Sequence, residues 1–239
     1  MQGRKYDSMK IYRKMTAVFM TILFLLISSF SIVSSKENNN DVFIKNGSRE
    51  EKLIALTFDD GPHPKETNEI LDVLKKYDVK ATFFVVGKHC NWYSKPLIRA
   101  SKEGHEIGNH TFNHPDISNL STDDIKKEIK LCEDTIVKLT GVKPTLFRPP
   151  FGSYNQEELG QIAKDCGYKI VLWTTVDAKD WKNPPPSQTS NIIISKVRNG
   201  DIILLHDYGT ENTVKALDII IPTMMKNGYK FVTVSELIK

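Results

Sequence analysis

Two histidines four residues apart, His110 and His114 in the stretch His110-Thr111-Phe112-Asn113-His114, follow an adjacent carboxylate pair, Asp59-Asp60, set in Thr57-Phe58-Asp59-Asp60-Gly61-Pro62. A first-row divalent ion that performs hydrolysis needs about three protein ligands and one open position. Asp60, His110 and His114 supply that number, and Asp59 is left over to handle protons. Taken singly, each half is ordinary. Histidines at i and i+4 also occur as surface or hydrogen-bonded core residues, and Asp-Gly-Pro is common turn chemistry for two solvated acids. Their joint presence in one short chain points to a metal site with a built-in base.

The elements that must position these side chains follow from the apolar pattern. A buried strand over 53–58 runs into the Gly61-Pro62 turn. Consecutive acids on an extended strand point to opposite faces, but a turn brings both into one cleft. A helix over 66–76, a strand over 81–87, a helix over 95–102 and a short strand over 106–108 lead to the histidine pair. Ser121 or Thr122 caps a long helix reaching about 139, with Gly141 as its stop. Further strands are predicted over 146–147, 169–174, 202–205 and 230–232, with helices over 156–166, 189–197 and 213–226 between them. Strands alternating with helices pair mostly parallel, because each helix makes the crossover. Asp59, Asp60, His110, Arg148, Asp177, His206 and Asp207 all fall at strand C-terminal ends, which is where β/α barrels place their active sites. The fold class is therefore α/β, a distorted (β/α) barrel in a single catalytic domain. No glycine-rich phosphate loop supports a nucleotide-binding sheet.

The 239 residues, 40% hydrophobic and 26% charged, suit one globular domain plus a short appendage. The net charge of +4 resides in residues 1–35, where Arg4, Lys5, Lys10, Arg13 and Lys14 face only Asp7. The remainder is balanced, so nucleic acid is not an expected partner. The basic stretch followed by an apolar run over 15–33 reads as a signal peptide or N-terminal membrane anchor over 1–35. If uncleaved, it gives membrane contact, and either way the catalytic domain lies outside the cytoplasm. A polar linker follows over 36–51, and the domain occupies 52–239. Cys90, Cys132 and Cys166 lack metal or redox spacing and read as buried or free thiols.

The chain resembles the polysaccharide deacetylase family with the NodB homology domain, carbohydrate esterase family 4. Five motifs stand in order: Thr57-Phe58-Asp59-Asp60-Gly61-Pro62, His110-Thr111-Phe112-Asn113-His114, Arg148-Pro149-Pro150-Phe151-Gly152, Asp177-Ala178-Lys179-Asp180-Trp181 and Ile203-Leu204-Leu205-His206-Asp207. The resemblance implies a distorted (β/α) barrel and one divalent metal, usually zinc, with cobalt, nickel or manganese as alternatives. It also implies removal of N-acetyl groups from a sugar polymer. By position it makes Asp60, His110 and His114 the metal ligands, Asp59 the base and His206 the general acid. Arg148 would orient Asp59, and Asp180 would support the Arg148 and His206 neighbourhood. Phe151 would lend its backbone N–H to the oxyanion, while Trp181 with Leu204 or Leu205 would wall the acetyl pocket.

The chemistry agrees. Amide hydrolysis needs a polarised carbonyl, an activated water and a proton for the departing nitrogen. A metal and Asp59 serve the first two needs, and an imidazole such as His206 serves the third. Pro149-Pro150 remove two N–H donors and leave the Phe151 amide as the next one available. His63, His89 and His105 have no motif partners and read as structural or surface residues, with His63 near the rim of the aspartate pair. Trp92, Tyr93, Tyr154 and Trp173 could stack on sugar rings or simply belong to the core. The expected partner is an N-acetylated envelope glycan, above all peptidoglycan, and the expected state is a monomer. The alternatives are chitooligosaccharide deacetylation, O-acetyl xylan ester cleavage, and a glycan-binding protein without catalysis. Phosphohydrolase or nuclease chemistry is disfavoured by the balanced charge and the lack of a second carboxylate-rich metal site.

Overall fold

Parallel strands covered on both faces need apolar residues at nearly every position, and the run from Leu53 to Phe58 meets that demand. In the computed structural model, which describes residues 42–174 and 177–239, it becomes the central strand of a curled parallel sheet. The described strands are β1 (Phe43–Ile44), β2 (Leu53–Asp59), β3 (Thr82–Val85), β4 (Glu106–Asn109), β5 (Leu146–Phe147), β6 (Lys169–Val171), β7 (Ile202–His206) and β8 (Lys230–Phe231). Their order is β1-β6-β5-β4-β3-β2-β7, with β8 also on β2. Beyond β6 the chain reaches β7: Thr174 N–H donates to the Ile202 carbonyl at 3.3 Å, and Asp177 bridges Leu204. The sheet thus curls into the distorted (β/α) barrel expected from the sequence, with a thin seam in place of a full ladder.

The helices are α1 (Glu66–Lys76), α2 (Gly87–Trp92), α3 (Ser94–Lys102), α4 (Thr122–Thr140), α5 (Gln156–Cys166), α6 (Pro186–Lys196), α7 (Glu211–Lys226) and α8 (Val234–Leu237). The period of two along β2 sorts its residues. Ile54, Leu56 and Phe58 join an outer core with Leu71, Leu74, Leu217 and Ile221 of α1 and α7. Ala55 joins an inner core with Phe84, Leu146, Val171 and Ile202, closed from below by Val234 and Leu237 of α8. A capping box between Thr233 and Glu236 starts that plug, and the Glu106 carboxylate ties it to the sheet by accepting from Thr82 Oγ1 and Ser235 N–H. Thr57 and Asp59 share the parity of Ala55, so both face the barrel interior above this apolar floor.

Helix α4 starts and stops as expected: the Ser121 hydroxyl accepts from Asp124 N–H, and Gly141 takes the left-handed conformation at φ 76°. The reading of 36–51 as linker needs correction at its described end. Phe43–Ile44 pair with β6, the Phe43 ring stacks on Tyr154 at 5.5 Å, and Gly47 N–H donates to the Gly200 carbonyl. A two-residue strand is recruited through its backbone and leaves no alternation to read. Helix α2 was hidden for a related reason, since β3 ends at Val85 and the predicted strand over 81–87 overran it. Residues 1–35 lie outside the described residues, among which no helix is long and apolar enough to cross a membrane.

Gly108 on β4 has a steric reason: a Cβ there would lie 2.5 Å from the Phe84 ring. Gly108→Ala is expected to destabilise the protein by about 1–3 kcal/mol through overpacking, read as a lower urea midpoint at unchanged m-value. An unaltered midpoint would show that Phe84 is free to move.

Candidate active site

Strand register assembles the cleft. Asp59 at the end of β2 is paired with His206 at the end of β7, and the common parity of parallel neighbours sends both side chains inward. Arg148 enters from the neighbouring side of the barrel, its N–H bonded to the Asn109 carbonyl just before His110. Its guanidinium is fully buried and lies 4.1 Å from the centre of the Phe84 ring. Each of its three nitrogens is used. Nη1 donates to Asp59 Oδ1 at 2.7 Å and to Thr57 Oγ1 at 2.8 Å, while Nε and Nη2 reach the Val171 and Leu172 carbonyls. Arg148 therefore holds one oxygen of Asp59 in place.

Asp60 is brought beside Asp59 by a left-handed backbone at φ 76°, a conformation costing an ordinary residue about 1–2 kcal/mol. Its Oδ1 lies 3.1 Å from His114 Nε2 and 3.5 Å from His110 Nε2. Donor atoms of all three residues fall within 4.8 Å of one another. The Nδ1 of His110 lies 2.7 Å from the Arg148 carbonyl. A carbonyl only accepts, so Nδ1 carries the proton and Nε2 offers its lone pair to the centre. Two imidazole nitrogens and one carboxylate suit a first-row divalent cation. Burial would raise the Asp60 carboxyl, but the His110 and His114 imidazoles beside it, when protonated, outweigh that and hold the group far below the usual carboxylate range.

The loop carrying the histidines is pinned from α4. The Glu128 carboxylate accepts from Phe112 N–H at 3.0 Å and Asn113 N–H at 2.7 Å, and Asn109 Oδ1 accepts from Thr111 N–H. Thr111 and His114 both have positive φ, 67° and 60°. With Asp60, Phe151 and Lys179, five of the strained non-glycine residues gather around this cleft, as is common where geometry serves function.

His206 is oriented by Asp180, whose carboxylate accepts from its backbone N–H and its Nδ1, each at 2.8 Å, and from Thr213 Oγ1. Burial would lower the imidazole pKa, but the Asp180 hydrogen bond and charge prevail and raise it to about 9. Of the predicted site residues, His206 is the one that Asp180 contacts. The expected support of the Arg148 neighbourhood is absent among the described contacts, because the guanidinium already spends its donors on Asp59 and the strand-end carbonyls.

Asp59, Asp60, His110, His114, Phe151, Trp173, Asp177, Trp181, Leu204 and His206 line one cleft of about 400 Å³. Phe151, at φ 60° on the turn Pro150–Gly152, and Trp181 are 68% and 54% exposed and form its rim. Leu204 faces the cleft, whereas Leu205 points into the outer core, as strand parity requires. Tyr154 packs against Phe43 instead of the cleft.

Two supports escaped the sequence reading. The Asp207 carboxylate accepts from Gly61 N–H at 2.9 Å and from Thr67 Oγ1 at 2.6 Å, fastening the aspartate turn to α1. Its place at a strand end and in the last motif hinted at a role, but not at this one. His89 Nδ1 lies 2.6 Å from the Asp60 carbonyl, with no sequence signal at all.

A curled parallel barrel with this strand-end cleft defines a class, and comparison with known proteins agrees. The polysaccharide deacetylase family model matches residues 46–171, and the chain belongs to that family. It is 44% identical over 188 residues to peptidoglycan-N-acetylmuramic acid deacetylase PdaC of Bacillus subtilis, covering 78% of this chain but only 39% of that protein. Among solved structures, the Bc1960 peptidoglycan N-acetylglucosamine deacetylase superposes with a TM-score of 0.79 at 35% identity, covering 82% of this chain and 92% of the other. BA3943 of Bacillus anthracis, described as a pseudoenzyme of the same family, superposes with a TM-score of 0.78 at 33% identity, covering 82% and 69%.

The Asp180 contact sets a titration. The elevated His206 pKa contributes stability that is whole below its unfolded value of about 6.5 and is lost as pH rises through about 9. Asp180→Asn is expected to lower the His206 pKa toward 6.5 or below, followed by NMR of the metal-free protein. An unmoved titration would show that Asp180 does not set the charge of His206.

Proposed function

We propose that this protein is a metal-dependent N-deacetylase of an N-acetylated cell-envelope glycan, with peptidoglycan as substrate. The observation that carries this reading is the pairing of Asp59 and His206 across β2 and β7, in the same cleft as the Asp60, His110 and His114 donors. When bound there, a divalent ion, zinc by the family's habit, supplies the Lewis acidity that polarises a carbonyl and acidifies water.

The remaining work belongs to side chains. Asp59, steadied by Arg148, takes a proton from the attacking water. The Phe151 amide, the first donor after Pro149-Pro150, faces the developing oxyanion; a comparable donor is worth about 2.7–4 kcal/mol in other hydrolases. His206, kept protonated by Asp180, delivers its proton to nitrogen as the C–N bond breaks. Leu204 and Trp181 wall the space for the acetyl methyl group, and the exposed rim leaves room for a polymer to lie across the cleft.

The relatives named for N-acetylmuramic acid and N-acetylglucosamine deacetylation support peptidoglycan and leave the choice of sugar to experiment. A catalytically silent glycan binder is the second reading, raised by the pseudoenzyme neighbour. Against it stands the joint presence of Asp59, Arg148, His206 and all three donor residues. The basic and then apolar sequence of residues 1–35 supports a location outside the cytoplasm, where the polymer is.

Treating peptidoglycan with the purified protein should produce muropeptides lighter by one acetyl group, and fragment masses will place the loss on one sugar. Asp59→Asn should reduce turnover about 10²–10⁴-fold while zinc stoichiometry is kept. It should also lower the melting temperature, since Arg148 loses its buried counter-charge. Activity confined to acetylated xylan would overturn the amide assignment, and undiminished turnover by Asp59→Asn would overturn the mechanism.

A further inference from the structure

We propose that His89 is a positioning residue for the metal site, acting on Asp60 through its backbone carbonyl; this rests on Asp60, His110 and His114 being metal ligands.

Asp60 holds a left-handed backbone at φ 76° without being glycine, so neighbouring contacts must over-determine it. One constraint lies just beyond it, where Gly61 N–H is bound by the Asp207 carboxylate. The other is His89. Its Nδ1 lies 2.6 Å from the Asp60 carbonyl, and because a carbonyl only accepts, Nδ1 is the donor.

The His89 ring is itself held. It stacks on Tyr208 with centroids 4.4 Å apart and planes at 15°, and Trp92 leans on it at 5.4 Å and 33°. Tyr208 follows His206 by two residues, so this small stack links the acid-bearing strand end to the ligand-bearing turn.

The helix that carries His89 joins both ligand loops. No side chain caps α2. Instead, Val86 N–H donates to the Gly61 carbonyl at 2.9 Å, Gly87 N–H to Thr111 O at 3.0 Å, and Lys88 N–H to Phe112 O at 2.9 Å. The free amides of one helix start are thus satisfied by carbonyls of the aspartate turn and the histidine loop. His89 adds the side-chain contact that reaches the ligand residue itself. This one short helix ties the two donor-bearing loops to each other, and His89 fixes the rotation of the Asp60 peptide within it.

Zinc affinity, measured by competition with a chelating dye, tests the assignment without relying on activity. His89→Leu keeps the volume and loses the donor, whereas His89→Asn places an amide N–H where Nδ1 stood. His89→Leu is expected to bind zinc about 10–100-fold more weakly, the usual effect of losing a group that orients a ligand, while His89→Asn stays near wild type. Wild-type affinity in His89→Leu, or an equal loss in both variants, overturns the proposal. If His89→Leu does not fold, Tyr208→Leu decides: the ring loses its stack, and zinc binding must weaken, an unchanged affinity counting against the role. Wild-type protein that takes up no zinc would instead sink the metal assignment itself, an outcome distinct from the failure of His89 alone.

Discussion

The Arg148 guanidinium lies wholly inside the barrel, on the Phe84 ring, with Asp59 as its counter-ion. Bringing these charges out of water is expensive, and their attraction compensates only when the remaining donors and acceptors are also satisfied. Here Thr57 Oγ1 and the Val171 and Leu172 carbonyls take three further N–H groups of the guanidinium. Removing one partner of such a pair typically costs about 3–5 kcal/mol, so the arrangement constrains the whole upper barrel. Strands β2, β5 and β6 must bring Thr57, Arg148 and the end of Val171 to one point. Gly108 must stay small so that Phe84 can lie beneath.

From that pair outward, the cleft gives Asp59 and His206, its two proposed proton-handling groups, different environments. Asp59 faces a permanent cation, and His206 faces the buried Asp180 carboxylate. The guanidinium holds the Asp59 carboxylate in place, and Asp180 keeps His206 protonated, so that it carries a proton to give. Because the two side chains are register partners in adjacent parallel strands, their separation is set by the ladder and not by loop conformation. The donor residues are different in kind. Asp60 and His114 sit on left-handed backbone, and Asp207, Glu128 and helix α2 bear the strain.

This division makes sense of where polar side chains are buried. Asn109, Asp180 and Asp207 are buried and Glu128 is partly buried, each accepting from a backbone N–H of a site strand end or loop. A loop fixed by a carboxylate on a helix or strand end keeps its shape without an apolar core of its own. The rim follows another rule, with Phe151 and Trp181 left as large exposed aromatic surfaces at the cleft edge.

The order of strands and helices, the strand-end clustering of polar residues and the donor set were legible in the sequence. Each depends on local pattern: a period of two or 3.6, a turn signal, or a motif spacing. Strand parity even separates Leu204 from Leu205 once the strand is known. Tertiary structure alone decided the rest. The fusion of Phe43–Ile44 to the sheet rests on backbone pairing with β6, which the intervening residues do not encode locally. The assignment of Asp180 to His206 instead of Arg148 depended on which buried donors were already taken. The bond from His89 to the Asp60 carbonyl joins residues 29 apart through the main chain of one partner, and a backbone acceptor is the same at every residue, so no side-chain pattern could have announced it.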